Sequence, residues 1–99
     1  MREQVEHSLH RIDGVRRARV LDPGRRGEDE LLFSMIERLG QDFDLGSPNH
    51  AWIEQRDRRT TSAWLDSGHI VQTTSEVHLP VGQIIHHLDR ARDILNEVY

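Results

Sequence analysis

The turn signal Asp66-Ser67-Gly68 constrains the fold most strongly, because it joins two runs that alternate as β-strands do. A three-residue hairpin loop needs a left-handed residue at its end, and Gly68 supplies one without steric cost. Such a loop places Ala63 opposite Val71, and this register decides which side chains share a sheet face.

Continuing the alternation through the preceding run predicts one aliphatic face and one polar face of the sheet. Odd-numbered residues form the aliphatic face, which we expect to pack on helices: Ala51, Ile53, Ala63, Leu65, Val71, Thr73, Val77 and Leu79. Even-numbered residues form the other face: Trp52, Glu54, Arg56, Ser62, Trp64, Ile70, Gln72, Glu76 and His78. Both tryptophans fall on this polar face, so we expect them to lie outside the central core.

Apolar residues at helical spacing surround these strands. The predicted elements are a helix ending before Gly14, a strand Arg17–Leu21, a helix ending at Gly40, three strands, and a long helix beginning at Pro80. We predict an α+β fold in which a two-layer arrangement packs an antiparallel sheet of three to four strands against helices. The element order is α-β-α-β-β-β-α, within one domain spanning residues 1–99. Between the second helix and the strands, Phe43 and Leu45 are expected to pack back onto the core.

The last helix carries a heptad pattern, with apolar residues spaced alternately three and four apart. These residues are Val81, Ile84, Leu88, Ala91, Leu95 and Val98. One interpretation is a helix that packs across the sheet of its own chain. The other is a helix shared with a second copy, which favours a homodimer.

Composition excludes several kinds of chemistry. The chain has no cysteine, so disulfides, thiolate metal sites and cysteine nucleophiles are impossible. Its thirteen basic residues are all arginine, which excludes a Schiff-base or P-loop lysine. Arginine-only usage reflects either a GC-rich genome or selection for bidentate contacts with carboxylate or phosphate. No apolar run reaches the length of a membrane span, so we expect a cytoplasmic protein without a membrane partner.

The charge distribution bears on nucleic-acid binding. Residues 1–26 hold seven arginines against four acidic residues, whereas the whole chain has a net charge of −4. From residue 28 the predicted order αβββα resembles the double-stranded RNA-binding domain, and "GSPNHAWIEQ" is similar to that family's Gly-Pro-x-His turn. The resemblance covers the element order and four residues, and it implies a nucleic-acid-binding alternative. That family grips phosphate with a lysine-rich start of its last helix, which here reads "LPVGQIIHH".

The candidate binding residues are Trp52 and Trp64 with the arginines between them: Arg56, Arg58 and Arg59. Exposed indoles beside arginine are typical of protein interfaces. The alternatives are base stacking and a cover provided by the first helix. We therefore predict a non-catalytic protein–protein interaction module, such as an adaptor, a complex subunit or an inhibitor or immunity-type protein, that associates with itself.

Catalytic and metal-binding motifs are not evident in the sequence. There is no nucleophile elbow, no Gly-rich phosphate loop and no HExxH pair. His7 and His10 have a spacing that can chelate zinc, but they have no evident third ligand. His86 and His87 are adjacent and diverge by about 100° on a helix. We predict no cofactor, and a small enzyme or metal-binding protein is the third interpretation.

Overall fold

Three helices and four strands make up the described part of the chain, residues 1–23, 30–42 and 49–99. For residues 30–33 and 41 this description covers the backbone alone, and the predictions for Phe43 and Leu45 lie outside it. The elements are α1 (Arg2–His10), β1 (Val15–Leu21), α2 (Glu30–Asp42), β2 (His50–Glu54), β3 (Arg59–Trp64), β4 (Ile70–Ser75) and α3 (Val81–Asn96). In this computed structural model the strands form one antiparallel sheet, ordered β1-β4-β3-β2. The predicted α+β fold and element order are confirmed.

The hairpin between β3 and β4 has the predicted register. Ala63 lies opposite Val71, and the Leu65 N–H donates to the His69 carbonyl at 2.8 Å. Gly68 has a φ of +89°, which is the left-handed conformation that the three-residue loop needs. The observed register and the conformation of Gly68 are those that the turn signal predicts.

The main core lies between the odd-numbered face of β3 and β4 and the helices α1 and α3. Its buried residues are Val5, Leu9, Val15, Val20, Ala63, Leu65, Val71, Ile84, Leu88, Ala91 and Leu95. Leu88 and Leu95 have no exposed surface, so the heptad positions of α3 are used within the chain. The interpretation of α3 as a helix packed across its own sheet is confirmed, and only Val98 of the pattern is largely exposed.

The second face of the sheet carries a smaller cluster beneath α2. Leu21, Trp64 and Ile70 are buried there, and Ile36 of α2 packs against them. The expectation that all helices share the odd-numbered face is therefore wrong for α2. The sheet contacts helices on both faces.

The side-chain parity predicted for β2 is also wrong. Trp52 lies opposite Thr61, so it shares the odd-numbered face of β3, while Ala51 packs with the cluster beneath α2. The cause is the turn, since the Gln55 N–H donates to the Arg58 carbonyl at 2.8 Å and leaves a two-residue loop. A two-residue loop joins odd-numbered to even-numbered positions, whereas a three-residue loop keeps their parity.

Element ends differ from prediction in four places. α1 ends at His10 rather than just before Gly14. β4 ends at Ser75, so residues 76–79 form the connection to α3 rather than strand. α2 continues two residues beyond Gly40, and β1 begins at Val15. Within the described residues, no helix is both long enough and apolar enough to span a membrane.

Candidate functional site

The free edge of β2 is the feature of this fold that most resembles a binding site. Among the strands that the structure describes, β2 is an outer strand of the sheet and pairs with β3 alone. The Asn49 carbonyl accepts from the Trp64 N–H at 3.0 Å, and Gln55 bonds Arg58 from the other end. Backbone groups alternate in direction along a strand, so Ala51 and Ile53 must also bond inward to β3.

It follows that the N–H and C=O groups of His50, Trp52 and Glu54 point away from the sheet. No described residue forms a hydrogen bond with these six backbone groups. Such a row of unpaired donors and acceptors is a template on which another extended chain can pair.

Two large apolar side chains flank this edge. Trp52 is 48% exposed on the face that α3 covers, and Ile53 is 40% exposed on the opposite face. The residues that follow, Gln55 to Arg58, are exposed and polar. Apolar side chains on both faces of such an edge favour pairing with another chain, and β2 contains no proline that would block it. Its one carboxylate, on Glu54, is already paired with Arg59.

A polar contact fixes this edge to α3. Nε2 of His50 lies 2.6 Å from Oδ1 of Asp89, and Nη2 of Arg92 lies 3.2 Å from the same oxygen. The imidazole and the guanidinium are both about four-fifths buried. This arrangement fixes the position of β2 against α3, and a strand fixed in this way would have a lower ordering cost on binding than a mobile one.

A second contact fixes the other end of β2. Nε of Arg59 donates to Oε1 of Glu54 at 2.9 Å, and its Nη2 donates to the Val77 carbonyl at 2.9 Å. Nη1 of Arg59 donates to the Leu79 carbonyl. Arg59 is only 7% exposed, so the prediction of an exposed binding arginine is wrong at this position. Its guanidinium joins the β2–β3 hairpin to the segment before α3.

The other two arginines of the hairpin are exposed. Nε of Arg58 donates to Oε1 of Gln55 at 2.6 Å within the same turn. Arg56 forms no hydrogen bond or ion pair with any described residue. Of the three predicted arginines, Arg56 alone presents an uncommitted guanidinium.

Trp64 does not lie where the sequence analysis predicted. It is 7% exposed beneath α2, and its Nε1 donates to Oε1 of Glu37 at 2.9 Å. Because the two-residue turn changes the parity of β2, Trp52 and Trp64 lie on opposite faces of the sheet. The expected platform of two exposed indoles is not formed, and α2, rather than the first helix, covers Trp64.

The opposite edge of the sheet, at β1, is closed by side chains of α1. Glu6 accepts from the Val20 N–H at 2.7 Å, and Arg2 donates to the Val20 carbonyl. Nε2 of His10 lies 3.0 Å from the Arg16 carbonyl. These three α1 residues are spaced four apart, so one stripe of the helix lies along this edge and occupies the outward groups of Val20 and the Arg16 carbonyl. Within the described residues, the β1 edge is therefore partly closed by side chains, whereas the β2 edge is open.

The remaining histidines do not assemble a recognisable site. Within residues 1–23, 30–42 and 49–99, no three potential ligands are close enough to hold a metal ion. Nδ1 of His69 lies 2.7 Å from Oγ of Ser67, but that hydroxyl also accepts from the His69 N–H. The contact is thus a local turn interaction, and His69 additionally stacks on Tyr99 with ring centroids 3.9 Å apart.

Sequence reasoning missed three parts of the edge: the exposure of Ile53, the His50–Asp89 contact and the closure of β1. The first follows from the turn length, which no Asn-Gly or Asp-Gly signal marked. The His50–Asp89 contact spans 39 residues, so no local spacing could have indicated it.

The chain matches no protein-family model, and no curated protein shows significant sequence similarity to it.

Proposed function

We propose that this chain is a non-catalytic protein-interaction module whose binding element is the free edge of β2. The observation that carries the proposal is the row of unpaired backbone groups on His50, Trp52 and Glu54. An extended segment laid along this edge would extend the sheet by one strand. In that mode, main-chain hydrogen bonds supply affinity and the flanking side chains supply specificity.

The side chains around the edge support this mode of binding. Trp52 offers a large, partly exposed indole, and tryptophan is enriched among residues that dominate binding energy. Ile53 offers apolar contact on the other face. Since Asp89 and Arg59 already fix His50 and Glu54, the strand needs little reorganisation to accept a partner.

Charge favours a protein partner over a nucleic acid. The net charge of −4 opposes approach to phosphate, and Arg59 is occupied inside the chain. The two exposed arginines of this hairpin, Arg56 and Arg58, would provide too few phosphate contacts for binding at physiological salt.

The proposal can be tested with a displayed library of extended peptides selected on the parent protein. Selected peptides should lose binding to Trp52→Lys, because a lysine on an edge strand opposes pairing. The matched control is His7→Lys, which adds the same charge at an exposed position on α1, beside the opposite edge. Peptides that bind both variants as well as they bind the parent would contradict the proposal, as would failure to select any binder.

A further inference from the structure

We propose that the strand which occupies the β2 edge is β2 of a second copy, paired antiparallel with Trp52 on the two-fold axis. This inference rests on the proposed function of the edge and names its partner. The product is a homodimer in which the two four-stranded sheets join into one continuous eight-stranded sheet. Four observations carry it: the backbone parity, the cross-strand side chains, the placement of the helices and the closed edge at β1.

Backbone parity restricts the register. Only His50, Trp52 and Glu54 have outward N–H and C=O groups, so they must face one another across the axis. With Trp52 opposite Trp52 of the second copy, His50 lies opposite Glu54, and all outward groups are paired by about six hydrogen bonds. A shift of two residues leaves one outward residue on each chain without a partner in β2. A shift of one residue forms no ladder.

The side chains are complementary in the same register. His50 lies opposite Glu54, so no two carboxylates and no two arginines face each other across the pair. The two Trp52 indoles, each half exposed in the single chain, become cross-strand neighbours and cover one another. On the other face Ala51 lies opposite Ile53, so two apolar side chains contact each other.

The helices are compatible with this pairing. An axis normal to the sheet keeps like faces together, so α1 and α3 of both copies lie on one side of the joined sheet. Their core residues are already buried within each chain and need not rearrange. The preformed cores therefore leave the edge as the part of each molecule that changes on association.

The closed edge at β1 makes the assembly finite. If both edges were open, copies could add head to tail and form a fibre. Because Arg2 and Glu6 occupy the outward groups of Val20 and His10 contacts the Arg16 carbonyl, a copy of β2 cannot pair along β1 without displacing these side chains. Association through β2 is isologous and stops at two chains.

The first test is the mass in solution of the parent and two charge variants. The parent should sediment as a dimer of twice 11.6 kDa. Trp52→Lys and Trp52→Glu should each be monomeric, because like charges would meet at the axis. An equimolar mixture of the two should recover the dimer, since unlike charges then meet. Two variants that remain monomeric when mixed would contradict the axial position of residue 52.

The second test reads the register directly, using the absence of native cysteine. In the proposed register Ala51 and Ile53 face one another as a non-hydrogen-bonded pair, with Cα atoms about 4.5 Å apart, a spacing that a disulfide can bridge. Ala51→Cys mixed with Ile53→Cys should therefore form disulfide-linked dimers of unlike chains, at least ten times more than either variant alone. Self-linking of Ala51→Cys or Ile53→Cys would indicate a shifted register and overturn the inference.

The outcomes separate this inference from the proposed function. A parent that is monomeric at all concentrations, yet still binds selected peptides through β2, overturns the dimer and leaves the edge function intact. If the parent is monomeric and the selected peptides bind Trp52→Lys as well as they bind the parent, both the dimer and the edge function are overturned. A dimer that survives Trp52→Lys and forms no mixed disulfide overturns the inference, because it uses another surface.

Discussion

Replacing Trp64 with alanine should destabilise the fold far more than the same replacement at Trp52. A tryptophan exposes or buries about 200 Å², and Trp64 retains only 7% of its exposure. At about 25 cal/mol per Å² the loss approaches 5 kcal/mol, which agrees with about 3–5 kcal/mol for such changes in protein cores. Trp52 is 48% exposed, so the same arithmetic gives about half that loss as an upper bound.

The measurement is urea unfolding of the parent and both variants, followed by far-ultraviolet circular dichroism because the substitutions remove fluorophores. The free energy of unfolding of Trp64→Ala should fall by about 2 kcal/mol more than that of Trp52→Ala. Trp64→Phe is the matched control, since it keeps an aromatic ring but removes the donor to Glu37. It should lie between the parent and Trp64→Ala.

Protein concentration must be varied in this experiment. If Trp52 stabilises a dimer, the effect of Trp52→Ala grows with concentration, whereas the effect of Trp64→Ala does not. Equal losses for the two alanine variants at a concentration where the parent is monomeric would refute the burial argument.

Three further expectations concern the arginines and histidines. Arg59→Ala should lower the free energy of unfolding by about 2–4 kcal/mol, because it leaves the Val77 and Leu79 carbonyls without their donor. The exposed Arg58→Ala should cost about 0.5 kcal/mol or less in the same unfolding assay. Stoichiometric zinc should leave the melting temperature unchanged, and a rise of several degrees abolished by His7→Ala would contradict this. Duplex RNA binding should be lost by physiological salt in a filter or anisotropy titration, and submicromolar binding weakened by Arg56→Glu would restore the nucleic-acid alternative.

The predictable part of the fold follows from signals that act locally. Gly68 has little choice of conformation in a three-residue loop, and the periodicity of Ile84, Leu88 and Leu95 can be satisfied by one sheet face. Such features combine backbone sterics with a single burial pattern, and both are encoded within a few residues. The element order and the core of α3 were therefore accessible from the sequence.

The position of the tryptophans was not accessible in the same way. The loop Arg56-Asp57 has no glycine or asparagine to mark a two-residue turn, and a loop one residue longer would exchange the two faces of β2. The burial of Trp64 depends on α2 crossing to the second face of the sheet. The burial of Trp64 therefore depends on which element covers it in the tertiary fold, and not on the residues next to it in the sequence.

The open and closed edges illustrate the same limit. A polar stripe on α1 has a pattern that is typical of a solvated helix face, although its side chains contact the backbone of β1. The stripe consists of Arg2, Glu6 and His10. His50 and Asp89 lie on separate elements that only the fold brings together. Local patterns singled out Trp52 as a candidate interface residue, but they did not predict that the backbone of its strand would be the candidate binding element.

Amide hydrogen exchange at single-residue resolution, compared at low and high protein concentration, shows whether the outward backbone groups of β2 become paired when two chains associate. The amides of Ala51 and Ile53 bond to β3 within the chain, so they should be protected at both concentrations. The amides of His50, Trp52 and Glu54 should exchange freely when dilute and become protected together when concentrated. The expected result is an alternation of protected and exchanging amides along β2 at low concentration, replaced by protection of all five amides at high concentration. Rapid exchange of these three amides at every concentration, or concentration-dependent protection confined to another element, would contradict the account.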